Sequence, residues 1–103
     1  FKDFHLKGSS NYGLHLILKS KNTKLFKKIL NLLDKKFIEY RLGSLGNELR
    51  EPDLKKLKAF NSFRMLKNTE HMHFFSVYIG NHQFLDKKKI IDLCKGLKKL
   101  NSY

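Results

Sequence analysis

The spacing of hydrophobic residues changes period several times along this chain. From Tyr12 to Lys19 it alternates, with Leu14, Leu16 and Leu18 on one face and His15 and Ile17 on the other, which predicts a strand. The second face is not wholly polar, so a covering layer is expected on it. From Leu25 the period becomes helical: Leu25, Phe26, Ile29, Leu30, Leu32 and Leu33 make one wide stripe. Asn22 is placed as its N-cap, and Lys35 and Lys36 fall in the last turn, where cations complement the helix dipole. Phe37 to Leu42 alternates again and predicts a second strand, Ile38, Tyr40 and Leu42 against Phe37, Glu39 and Arg41.

Residues 43–52 interrupt the pattern with Gly43, Gly46, Asn47 and Pro52 and predict an extended loop. Pro52 suits the start of a short helix from Asp53 to Phe60, which Asn61-Ser62 ends. Asn68-Thr69-Glu70 predicts the cap of another short helix through about Phe74. Ser76 to Ile79 reads as a third strand ending at Gly80. Asp86 caps a last helix, whose predicted buried stripe is Ile90, Ile91, Cys94, Leu97 and Leu100. Phe1 to Asn11 reads as an irregular lead-in or linker, leaving 12–103 as a single domain. The order β-α-β-loop-α-α-β-α predicts a small α+β domain, a three-stranded sheet with the two longer helices on one face.

Composition narrows the class. A chain of 103 residues with 41% hydrophobic and 13% aromatic content can bury one core. The single Cys94 excludes an internal disulfide, fits a reducing cytoplasmic compartment, and from its apolar neighbours is expected to be packed. No apolar run is long enough to span a bilayer, Phe1 to Lys7 has no signal-peptide pattern, and a soluble protein is expected. The start at Phe1, without methionine, suggests a piece of something larger.

A formal charge of +13 invites a nucleic-acid reading, and a free-standing basic module that binds nucleic acid is the competing hypothesis. Against it, only Arg41, Arg50 and Arg64 of the 22 basic residues are arginines, and lysine offers no bidentate fork. Many lysines, such as Lys24, Lys27, Lys28, Lys87, Lys95 and Lys98, also fall where a solvated helix face would put them. Nucleic acid is therefore not the expected partner, and no membrane association is expected.

Catalytic motifs are missing: the chain has no G-x-S-x-G, Walker loop, H-E-x-x-H or dinucleotide fingerprint. His71-Met72-His73 would share a face only in a strand, and in the predicted helix the rings diverge, so no metal site is expected. Phe60, Phe63, Phe74, Phe75 and Phe84 either complete the core or face another domain or subunit.

The candidate chemistry lies in two turns that follow strands, Gly46-Asn47…Arg50 and Gly80-Asn81-His82. Glycine allows a left-handed backbone and close approach there, and the Arg50 guanidinium suits a carboxylate or phosphate. The ordinary alternative is an Arg50 that pairs with Glu48 or Glu51, or caps a carbonyl. His82, just past a strand, is placed to donate a hydrogen bond or carry a proton, or simply to lie at the surface.

Three stretches in order, Tyr12-Gly13-Leu14-His15-Leu16-Ile17-Leu18, Gly46-Asn47-Glu48-Leu49-Arg50-Glu51-Pro52 and Glu70 through His82, resemble the C-terminal domain of the DegT/StrS family. These are pyridoxal-phosphate-dependent aminotransferases of nucleotide-linked keto-sugars, and the resemblance runs from about Ser10 to Leu100. It implies the small domain of an aspartate-aminotransferase-type fold. The cofactor pyridoxal phosphate, and the lysine that holds it, would belong to an upstream large domain, and the partners would be that domain, a homodimer mate, a nucleotide-sugar and an amino donor. Asn47 and Arg50 match a Gly-Asn-x-x-Arg loop suited to a donor carboxylate, with Gly46, Asn81 and His82 in structural or supporting places. Glu51 and Gln83 depart from the glutamine and proline frequent in relatives. A subgroup lacking the lysine acts as a sugar 3-dehydrase, and the residue that decides lies outside this chain. By itself the chain is expected to be inactive.

Overall fold

The computed structural model describes residues 12–43, 47–56 and 66–101. Along them run β1 (Gly13–Ile17), α1 (Thr23–Lys35), β2 (Arg41–Leu42), two 3-10 turns (Glu48–Arg50 and Leu54–Lys56), α2 (Lys67–Phe75), β3 (Ser76–Gly80) and α3 (Lys87–Asn101). The result is the expected α+β architecture, with three α-helices and a three-stranded sheet.

The sheet has the order β1-β3-β2 and is antiparallel throughout, so the last strand in sequence is the central one. Leu14 lies opposite Ile79 and Leu16 opposite Val77, while Leu42 faces Val77 from the other side. This register gathers the apolar residues on one face, since a shift of one residue would turn each of them over. On that face Leu18, Val77 and Ile79 meet Ile29 and Leu33 of α1 and Leu93 of α3 to form the core.

α1 begins as its sequence requires: the Asn22 side chain accepts a hydrogen bond from the Leu25 amide at 2.9 Å. Its far end departs from expectation. The Phe37 amide donates to the Asp34 carbonyl at 3.0 Å and the Ile38 amide to the Leu33 carbonyl at 3.0 Å. These are the paired bonds of a Schellman cap, which needs a left-handed residue between them. Phe37 takes that conformation with φ of 53° and is 97% exposed. Phe37 and Ile38 are thus spent on closing the helix, and the strand expected over 37–42 shrinks to Arg41–Leu42.

α3 is capped by Asp86, whose carboxylate accepts from the Lys88 amide at 2.9 Å, but its inward face is not the predicted one. Leu93 is buried, Leu97 and Leu100 pack partly behind it, and Ile90, Ile91 and Cys94 are exposed. Gly96 lies on this inward side. A Cβ at that position would lie 3.0 Å from a Leu32 methyl, so α3 packs closely on α1 there. The expectation of a packed Cys94 is corrected accordingly. At the rim of this contact Lys36 forms an ion pair with Asp92 and holds that carboxyl below its ordinary range.

α2 starts at Lys67 behind Leu66, which makes no side-chain cap bond, so the cap expected at Asn68 lies within the first turn. In the preceding segment Leu54–Lys56 is a 3-10 turn, in place of the start of the helix expected from Asp53. Residues 57–60 of that expected helix, the lead-in 1–11, Gly46, Phe60 and Phe63 lie outside the described residues. Of the other phenylalanines Phe75 packs against the core, whereas Phe74 and Phe84 are 47% and 82% exposed. Ser76 marks the α2–β3 junction: it is buried, and its hydroxyl donates to the Met72 carbonyl at 2.6 Å.

Candidate functional site

The 3-10 turn Glu48–Arg50 lies against α2, and side chains from both join them. Its backbone is closed by the Arg50 amide donating to the Asn47 carbonyl at 2.9 Å. Asn47 opens the turn and is 2% exposed. Its amide N–H donates to His73 Nδ1 at 2.9 Å, and its side-chain Nδ2 donates to Glu70 Oε2 at 2.7 Å. Arg50 donates from Nε to the same Oε2 at 2.9 Å and from Nη2 to Oε1, a bidentate pair. Its guanidinium also lies over the Phe74 ring, 4.6 Å from the centroid.

Three of these partners come from one helix face. Glu70, His73 and Phe74 are spaced i, i+3, i+4, which brings them into line on α2. The chain thereby presents a carboxylate, an imidazole acceptor and an aromatic ring to one short loop. Arg50 holds the Glu70 carboxyl down to about pKa 2, working against partial burial and aided by the Asn47 amide and by its own charge. The Arg50 guanidinium is raised in turn, first by its hydrogen bond to Glu70.

This arrangement revises one expectation. Arg50 pairs with a carboxylate, that of Glu70 twenty residues on, where the sequence offered Glu48 or Glu51. In the sequence Glu70 reads only as part of a capping signal, and His73 only as one of a histidine pair. The i, i+3, i+4 spacing of Glu70, His73 and Phe74 is the clue that the sequence does hold. The histidines do diverge: His71 Nε2 donates to the Leu18 carbonyl at 2.6 Å, while His73 faces Asn47.

The second glycine turn is elsewhere. Gly80-Asn81-His82 follows the end of β3 remote from α2, so the strand separates it from Arg50. The Asn81 amide donates to the Tyr12 carbonyl at 3.0 Å, which ties the turn to the start of β1. His82 is exposed, and its Nδ1 accepts from the Phe84 amide at 3.2 Å. Both residues therefore close a turn. Among described glycines the left-handed backbone expected of these turns occurs only at Gly43, with φ of 60°.

Two concavities border these elements. A recess of about 400 Å³, lined by Lys21, Thr23, Phe26, Glu70, Phe74 and Phe75, opens beside the Arg50 cluster and shares Glu70 and Phe74 with it. A larger groove of about 890 Å³ runs along β1 between Leu25, Ile29, Leu97 and Leu100, and none of Asn47, Arg50, Glu70 or His73 lines it. The smaller recess is the one that borders the Arg50 cluster, whereas His15, Lys19, Ser20 and Lys98 supply the polar lining of the larger groove. Among the described residues no group of three or more His, Cys, Asp or Glu is placed to hold a metal ion, and no helix is long and apolar enough to cross a membrane. No protein-family model, no curated protein and no solved structure matches the chain.

Proposed function

We propose that this chain is the C-terminal substrate-positioning domain of a pyridoxal-phosphate-dependent aminotransferase acting on a nucleotide-linked keto-sugar, working in the cytoplasm within a longer, homodimeric enzyme of amino-sugar or surface-polysaccharide synthesis. One observation supports this reading above the others. The loop at 46–52 and the stretch at 70–82, two of the three segments that carry the resemblance, meet through Asn47, Arg50, Glu70 and His73. A small domain that positions substrate needs such a loop fixed on rigid structure, because a displacement of roughly 1 Å can cost about 100-fold in rate.

The bidentate grip of Arg50 on Glu70 bears on the substrate as well. The guanidinium already takes a carboxylate in the geometry that an amino donor's α-carboxylate would require. In this reading the donor reaches Arg50 in competition with Glu70, beside the recess that Glu70 and Phe74 line. The cofactor supplies the electron sink for moving the amino group. The resemblance places the lysine that would hold it in a large domain outside this chain, and in this reading the chain alone is inactive.

In the full-length enzyme, Arg50→Ala is expected to raise KM for the amino donor at least tenfold while cofactor affinity stays within a factor of about two. A donor dependence unchanged by Arg50→Ala removes Arg50 from the substrate site and with it this account of the loop.

A further inference from the structure

The hydrogen bond from the Asn47 amide to His73 fixes the protonation of that ring. An imidazole nitrogen that accepts an N–H bond carries no proton, so at 2.9 Å Nδ1 is bare and the neutral ring bears its hydrogen on Nε2. The amide it satisfies belongs to Asn47, which is 2% exposed, and a buried N–H is seldom left without an acceptor. The Phe74 ring meets the imidazole edge-on, 4.7 Å between centroids, and steadies its orientation. Glu70, one turn earlier on the same helix face, holds the Asn47 side chain and Arg50.

We infer that Glu70 and His73 are the positioning residues of the 47–50 loop, and that His73 holds it only as the neutral imidazole. The inference deepens the proposed function, since it concerns the loop that reading assigns to substrate. Glu70 anchors side chains and His73 anchors backbone, so the two constrain different degrees of freedom. Protonating His73 turns Nδ1 from acceptor into donor and sets it against the Asn47 N–H, so the backbone anchor is lost while the Glu70 anchor persists. Glu70, on the same helix face, is the carboxylate that interacts electrostatically with the ring, and it is itself paired with Arg50 of the 3-10 turn. The loop therefore loosens in one step as the ring titrates, without loss of the Arg50–Glu70 pair.

The test needs no substrate, so it can fail separately from the donor-binding reading. Ring nitrogen chemical shifts of His73 and amide exchange protection at Asn47 are followed by NMR against pH in the 103-residue chain. The expected result is a neutral ring protonated at Nε2, and at least a tenfold fall in Asn47 protection whose midpoint coincides with ring titration. Protection at Leu33 and Val77 should stay constant over the same range. His73→Asn retains an acceptor atom at the Nδ1 position but cannot ionise, and should keep Asn47 protected at every pH. His73→Ala should lose that protection throughout. Asn47 protection that ignores ring titration, or a ring protonated at Nδ1 in its neutral form, overturns the inference. A wild-type pH response in His73→Asn overturns it too.

Discussion

Arg50 and Glu70 are joined along one full edge of the guanidinium, Nε to Oε2 at 2.9 Å and Nη2 to Oε1. The pair ties the 3-10 turn at Glu48–Arg50 to the helix that begins at Lys67, and it is only part-exposed, the two side chains retaining 32% and 20% of their accessible surface. An ion pair of this geometry differs from an ordinary surface contact, because it is bidentate and partly shielded from solvent. It makes the loop a fixture of α2.

Acid should therefore weaken the fold through Glu70. Its folded-state pKa, about 2, lies below the unfolded value of about 4.5. A depressed carboxyl contributes stability that is complete above the unfolded value and is lost as pH falls through the folded one. Urea unfolding between pH 6 and pH 2 should show this loss, and Glu70→Gln should flatten its part of the curve while lowering stability at neutral pH. A Glu70→Gln variant with the wild-type acid profile would show that the pair is not stabilising.

Phe37 offers a gain in stability. It occupies a left-handed backbone position that costs a bulky residue about 1 kcal/mol, and at 97% exposure its ring lies almost wholly in solvent. Phe37→Gly should raise stability by up to about 1 kcal/mol, or roughly 4 °C in Tm for a domain of this size. Calorimetry of the two proteins checks it; a lower Tm would mean the Schellman cap is not what closes α1.

Two glycines should respond differently to alanine. At Gly13 a Cβ would lie 3.0 Å from the backbone oxygen of Ile79, which the β1–β3 ladder holds in place. Gly13→Ala should cost about 1–3 kcal/mol, as overpacking does. At Gly96 the obstacle is a Leu32 methyl, the mobile tip of a side chain. Its displacement is offset by the better helix propensity of alanine, about 1 kcal/mol, so Gly96→Ala should be near neutral. Denaturant midpoints of the two variants decide whether fixed and movable neighbours differ in this way.

Leu33 is the centre of the core, with no accessible surface. Leu33→Ala should cost about 2–5 kcal/mol, the usual penalty for a large cavity. This should lower Tm by roughly 8–20 °C, read by circular dichroism. Wild-type melting in that variant would place the core elsewhere.

Much of the fold is legible from periodicity alone. The alternation at Leu14, Leu16 and Leu18, the stripe from Leu25 to Leu33, and the capping roles of Asn22 and Asp86 all depend on neighbours within a turn or two, where propensity and spacing act directly. They locate β1, α1, β3 and α3 to within a residue or two and make a small α+β domain the natural outcome. The asparagine and arginine of the 47–50 loop are also visible, as polar groups beside a glycine turn.

Tertiary structure decided what depends on contacts between distant segments. The second strand shrank for a local reason, since Asp34 and Leu33 took the Phe37 and Ile38 amides, whereas the inward side of α3 is set by its packing against α1. Arg50 found Glu70, and Asn47 found His73, because the order β1-β3-β2 and the α2–β3 corner bring α2 beside the loop. A hydrogen bond across twenty or more residues leaves no periodic trace in the chain. Only the closing of the fold, which makes burial of Asn47 depend on an acceptor from α2, selects that partner.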